Sequence, residues 1–170
     1  LYRPLKLKAG VYYELSTYAI QGGTSSHVSI GYATVPVVDS LVYIVESEKI
    51  EQEWGKHSGY FQVPQTGTYY FGIKVYAGAN IGLDDIRVDE VTCVPPTTGI
   101  ANLTSTSAAI KIEDLTAGKW MLSVNNFAFS PEVSNGNIFH GEVTAEYTDL
   151  ENLDPNSEYY YSVKSLCGEG

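Results

Sequence analysis

Basic residues are scarce in this chain: 10 Lys and Arg stand against 20 Asp and Glu in 170 residues, a formal charge of -10. Such a chain repels DNA, RNA or an anionic membrane surface rather than steering toward it, so nucleic acid is not an expected partner. Long apolar runs are also lacking. None approaches the ~20 residues of a spanning helix, which argues against membrane insertion by one. Charged residues make up only 18% against 44% hydrophobic, which excludes a disordered chain. Cysteine occurs twice, with no Cys-x-x-Cys or His-x-x-x-His companion that would suggest zinc. Catalytic motifs are missing: His27, His57 and His140 are scattered, and there is no Gly-x-Ser-x-Gly elbow, His-Glu-x-x-His pair or phosphate-cradling glycine loop. No enzyme is expected within this chain.

A sustained helical period is absent as well. The best window, Ser47 to Trp54, offers only the Ile50/Trp54 pair, enough for a single turn. What fills the chain instead is period-two alternation of Tyr, Val, Ile and Thr with polar residues, the mark of half-buried strands. Val11, Tyr13, Leu15 and Ala19 share one face; Val28, Ile30 and Tyr32 form a second row; Tyr69, Phe71, Ile73 and Val75 form the clearest. Turn punctuators separate them at Gln21-Gly-Gly-Thr24, Pro64-Gln-Thr-Gly67 and Ala77-Gly-Ala-Asn80.

The stretch Gly82 to Pro96 marks a change of character. Asp84, Ile86 and Val88 fall on one face of a strand and Asp85 and Arg87 on the other, while Pro95-Pro96 cannot sit inside a central strand. A domain boundary is expected there, with residues 1–92 forming one antiparallel sandwich of about seven strands and residues 93–170 a second. In the second body Ile110 and Ile112, then Trp120, Leu122 and Val124, then Val143, Ala145 and Tyr147, then Tyr159, Tyr161 and Val163 alternate with polar neighbours. The fold class expected is all-β, two antiparallel sandwiches in tandem. Leu1-Tyr-Arg-Pro-Leu5 lacks the basic and apolar regions of a signal peptide, and the chain reads as a piece of a longer protein.

Two resemblances refine this. Pro4 to Leu15, Thr66 to Ile73 and Ile81 to Val88, in that order, resemble the jelly-roll modules of bacterial surface adhesins and carbohydrate-binding proteins; those modules are longer, which implies an amino-terminal strand missing here. Leu153-Asp-Pro155-Asn-Ser-Glu-Tyr159 resembles the fibronectin type III signature Leu-x-Pro-x-Thr/Ser-x-Tyr, whose tyrosine hydroxyl tethers the inter-sheet corner. It implies a structural corner of Leu153, Pro155 and Tyr159. Ile112 stands where that family often carries a core tryptophan, and the family's last strand, after Cys167, is absent.

The same resemblance implies a disulfide between Cys93 and Cys167, since type III domains of Bacteroidetes-like secreted proteins often carry a cysteine pair there; two unrelated buried thiols are the alternative. For the first body, the resembled modules often pin their last strand with calcium, and Asp84-Asp85 is the candidate site. By parity Asp84 lies inward, where an unpaired carboxylate needs compensation. The competing readings are a buried hydrogen-bonded Asp and a solvent-facing bulge. Of 14 tyrosines, Tyr12, Tyr18, Tyr70 and Tyr76 fall on faces opposite the core rows, where aromatic rings can stack on sugars or anchor a protein; ordinary strand residues covering a sheet are the plainer reading. Asp39-Ser40-Leu41 resembles the O-glycan acceptor of Bacteroidetes secreted proteins, and Asn102-Leu-Thr104 is an N-glycosylation sequon.

The function expected is non-catalytic adhesion or binding of a glycan or protein ligand, at the cell surface or outside it, within a larger protein whose other modules are further partners. An accessory region of a secreted protease or glycosidase, and a purely structural stalk, are the competing readings.

Overall fold

The computed structural model describes residues 4–23, 25–76, 80–130 and 136–167. Among these the chain is all-β, with one 3-10 turn at Val38–Ser40. It divides into two compact units, Leu1–Val91 and Thr92–Gly170.

Unit 1 contains β1 (Pro4–Leu7), β2 (Tyr12–Gln21), β3 (His27–Ala33), β4 (Val42–Lys49), β5 (Gly55–Gln62), β6 (Gly67–Tyr76) and β7 (Ile81–Val91). They form a four-stranded sheet in the order β1-β6-β3-β4 and a three-stranded sheet in the order β5-β2-β7. Every consecutive pair of strands except β3 and β4 lies in opposite sheets, so the chain crosses repeatedly between the two antiparallel sheets of a sandwich. The alternating rows meet between the sheets: Tyr13, Leu15 and Ala19 of β2 face Val28 and Ile30 of β3 and Tyr69 and Phe71 of β6, all buried, with Phe61 among them. Stacking of Tyr32 on Phe61, ring centroids 5.0 Å apart, extends this aromatic centre.

The inward tyrosines are more than filling. A buried phenol needs a partner for its hydroxyl, and each finds one in a nearby loop. The Tyr13 hydroxyl accepts from the Lys8 N–H at 2.9 Å, and the Tyr69 hydroxyl donates to the Gln65 carbonyl at 2.7 Å. Each ring therefore anchors the loop beside its own strand. On one side of the sandwich β4 and β5 approach closely; a Cβ on Gly59 would lie 2.5 Å from the Ile44 side chain, so glycine permits the closure. The window Ser47 to Trp54 makes no helical turn: Lys49 ends β4, and Ile50 is fully buried in the core. Its apolar pair is split between core and surface, because Trp54 points outward and is 52% exposed.

Unit 2 contains β8 (Thr97–Ala101), β9 (Ala108–Glu113), β10 (Trp120–Asn125), β11 (Phe139–Val143), β12 (Tyr147–Leu150) and β13 (Tyr160–Ser165), paired as β12-β9-β8 and β11-β10-β13. Ile110 and Ile112 from one sheet pack against Trp120, Leu122 and Val124 from the other. The expected row Val143, Ala145, Tyr147 is not one strand: β11 ends at Val143, and Tyr147 opens β12 in the opposite sheet. A turn across the sandwich edge preserves local alternation, so the break leaves no mark in the period.

Cys93 and Cys167 are disulfide-bonded, with Cα atoms 5.4 Å apart. Near them Asp114, in the turn after β9, collects donors. Its Oδ1 accepts from the N–H groups of Thr116 (2.7 Å) and Ala117 (2.9 Å), and its Oδ2 from Trp120 Nε1 (2.7 Å) and the Ser165 hydroxyl. Burial works to raise the Asp114 pKa, but the bonds from Ser165, Ala117, Thr116 and Trp120 together outweigh it and lower it to about 2.

The Tyr159 hydroxyl accepts from the Asp154 N–H at 2.7 Å, while the Leu153 N–H donates to the Thr106 carbonyl at 2.9 Å. Pro155 is exposed beside them. Because Asp154 is exposed, water can replace the lost acceptor, so Tyr159→Phe is expected to cost only about 1 kcal/mol. Denaturant midpoints measure it, with Tyr160→Phe as a neutral control, since the Tyr160 hydroxyl bonds only an exposed Glu158. The Ala77-Gly-Ala-Asn80 turn, apart from Asn80, and Thr24 of the first turn lie outside the described residues.

Candidate ligand-binding site

Three strands and one loop build a groove on the outer face of the β5-β2-β7 sheet. β2 places Glu14, Ser16 and Tyr18 there by period two; β5 adds Lys56; β7 adds Asp84, Asp85, Arg87 and Asp89; the loop before β5 adds Trp54. The groove has a volume of about 460 Å³. Trp54 and Tyr18 present partly exposed rings, 52% and 39% accessible. Ser16 is only 5% exposed yet lines the groove, and its hydroxyl has no hydrogen-bond partner among the described residues.

The position of Trp54 depends on Gly82. A Cβ there would lie 3.1 Å from the indole Cη2 and 2.9 Å from the Ile20 side chain, so only glycine lets the ring lie this close to the sheet. Charges are partly matched within the groove. Lys56 Nζ lies 2.6 Å from Glu14 Oε1, and Arg87 Nη2 lies 3.3 Å from Asp85 Oδ1. Burial works to raise the Glu14 pKa, but hydrogen bonds from Lys56 and Ser58 more than offset it and the net shift is downward; bonding to Glu14 raises Lys56 in turn. Asp84 and Asp89 have no cationic partner among the described residues.

Asp84 does not lie inward. Ser16 pairs with Arg87 and Tyr18 with Asp84, so Thr17 opposes two residues, Asp85 and Ile86, in a β-bulge. Asp85 takes φ +50°, a left-handed conformation that Asp tolerates better than most residues. The Asp84 carboxylate accepts the Asp85 N–H at 2.8 Å, and the buried Thr17 hydroxyl donates to the Asp84 carbonyl at 3.1 Å. The extra residue reverses parity, so Val88 remains against the core while Asp84 and Asp85 face solvent. This removes the buried carboxylate that calcium was to compensate. Nor do the described residues gather three or more His, Cys, Asp or Glu side chains around one point, and calcium takes six to eight oxygens. Melting curves of the intact chain in chelator and in millimolar calcium are expected to superimpose; a calcium-dependent rise would show that ligands from elsewhere complete a site.

The four outward tyrosines do not form one platform. Tyr12 and Tyr18 lie on β2, Tyr70 and Tyr76 on β6 in the other sheet, and only Tyr18 lines the groove. Tyr76 instead carries Lys74, whose Nζ sits 4.8 Å from the ring centroid. Nothing in the sequence assigns Trp54, Glu14, Ser16, Lys56, Arg87 or Asp89 to a binding site. The even-numbered face of β2 was readable as Glu14-x-Ser16-x-Tyr18, but its alignment with β5 and β7 depends on non-local pairing.

Elsewhere, Ser123 Oγ lies 2.8 Å from His140 Nδ1. Ser123 is buried in the β10 strand, and no carboxylate pairs with His140 among the described residues, so the pair lacks the geometry of an activated nucleophile. The Ser40 hydroxyl donates to the Val37 carbonyl at 2.6 Å, a bond that O-glycosylation would remove. Asn102 is exposed at φ +50° in the turn after β8, open to a modifying enzyme. In comparisons with known proteins, no family model matches this chain and no curated protein matches it either.

Proposed function

We propose that the chain is a non-catalytic binding segment of a larger secreted or surface protein, that unit 1 holds a glycan in the groove of its β5-β2-β7 sheet, and that unit 2 serves as a spacer. The observation that carries this reading is the combination of two partly exposed rings, Trp54 and Tyr18, with the unpartnered hydroxyl of the groove-lining Ser16, a residue only 5% exposed. Sugar rings offer apolar C–H faces to aromatic side chains and hydroxyls to polar ones, so a shallow groove needs both. The disulfide supports an oxidising compartment. No described helix is long and apolar enough to cross a membrane.

Binding of the intact chain to an immobilised oligosaccharide panel, followed by titration calorimetry, tests the reading. Trp54→Ala is expected to weaken binding about tenfold or more, because it removes a large stacking face. Tyr76→Ala, on the other sheet, is expected to leave it unchanged. Equal binding by the Trp54 variant would show that the ligand sits elsewhere.

A further inference from the structure

We propose that the groove selects glycans carrying a free, protonated amine, such as 2-amino-2-deoxy sugars, over their N-acetylated or acidic counterparts. This rests on the groove being the glycan site. Its lining holds four carboxylates, Glu14, Asp84, Asp85 and Asp89, against two cations, Lys56 and Arg87, which leaves two negative charges. Lys56 is paired with Glu14 and Arg87 with Asp85, so both cations are already matched by a carboxylate of the groove. Asp84 and Asp89 remain without a cation, and both are acceptors only, suited to an ammonium donor.

The aromatic rings point the same way. A cation beside Trp or Tyr gains from the ring quadrupole, and its gain increases as water is displaced. An amino sugar lets one ligand use both parts of the site: its apolar face against Trp54, its hydroxyls toward Ser16, and its ammonium toward Asp84 or Asp89. An acidic sugar would meet two unneutralised carboxylates at short range, a like-charge contact that disfavours binding. The bulge at Asp85 is what makes this possible, because without it Asp84 would face the core.

The experiment compares three tetrasaccharides with the intact chain by calorimetry: β-1,4-linked glucosamine, its fully N-acetylated form, and a uronic acid oligomer. The glucosamine form is expected to bind about tenfold more tightly than the N-acetylated form, with the ratio shrinking as salt is raised and charge is screened. Asp84→Asn with Asp89→Asn should narrow that ratio severalfold, and Trp54→Ala should weaken binding of the glucosamine form. Equal affinity for the amine and N-acetyl forms would overturn the amine selectivity while leaving the glycan site standing. Binding of none of the three, or tighter binding of the uronic acid, would also overturn it, and the first of these would remove this class of glycan from the site altogether. A tetralysine control guards against bare charge attraction: binding as tight as that of glucosamine, and insensitive to Trp54→Ala, would overturn the sugar part.

Discussion

Reduction of the Cys93–Cys167 bond is expected to lower the stability of unit 2 by about 4 kcal/mol and to leave unit 1 unchanged. The two cysteines lie 74 residues apart in sequence and both belong to unit 2. Cross-linking a loop of that length removes much of the freedom of the unfolded chain, and the chain-entropy account gives roughly 4 kcal/mol for it. A small domain has about 5 to 15 kcal/mol in total, so the loss is a large share. Melting curves with and without reductant should show one transition moving and one fixed, provided the units unfold independently. Alkylation without reductant should add no mass. Two labelled cysteines, or a shift of the unit 1 transition alone, would contradict the assignment.

Asp114→Ala is expected to destabilise unit 2 by about 3 kcal/mol, through groups the carboxylate now satisfies. The indole N–H of Trp120, which is 7% exposed, loses its acceptor, as do the Thr116 and Ala117 N–H groups in the turn, and the buried Ser165 hydroxyl keeps only its 3.2 Å bond to the Val94 carbonyl. The same contacts predict an acid dependence. The folded pKa of about 2 lies below the ordinary aspartate value of 3.8, so the unfolded chain takes up the proton first on acidification. The contribution of Asp114 is therefore fully present above the unfolded pKa and is lost as pH falls from about 4 toward 2, with a size of about 2 kcal/mol. In Asp114→Asn the fall in unit 2 stability over that window should flatten. Unchanged acid dependence in the variant would place the titrating group elsewhere.

Strand content was legible because alternation is a local property. Tyr13-x-Leu15, Val28-x-Ile30 and Tyr69-x-Phe71 announce an inward face whichever strands lie alongside, and all six residues are buried. The same rule failed at Asp84. Parity counts residues along one strand, whereas a bulge is defined by two strands together: Thr17 of β2 faces both Asp85 and Ile86, and only that pairing shows the extra residue. It also failed at Ala145, where the chain changes sheets without interrupting the alternation. Asp114 carries no local signal of its role for a related reason. An acidic residue in a turn looks solvated until Trp120 and Ser165 arrive from neighbouring strands.

Residue order makes the all-β class and the acidic character readable, because side-chain period and net charge need no knowledge of neighbours. Tertiary structure alone decided which strands share a sheet, and with that the groove. Trp54, in a loop, comes to rest on Gly82, 28 positions further along the chain, and the bulge turns Asp84 outward beside it. Cross-strand register is set by packing and hydrogen bonding between segments distant in sequence, so a site assembled from β2, β5, β7 and a loop becomes visible only once those segments are paired.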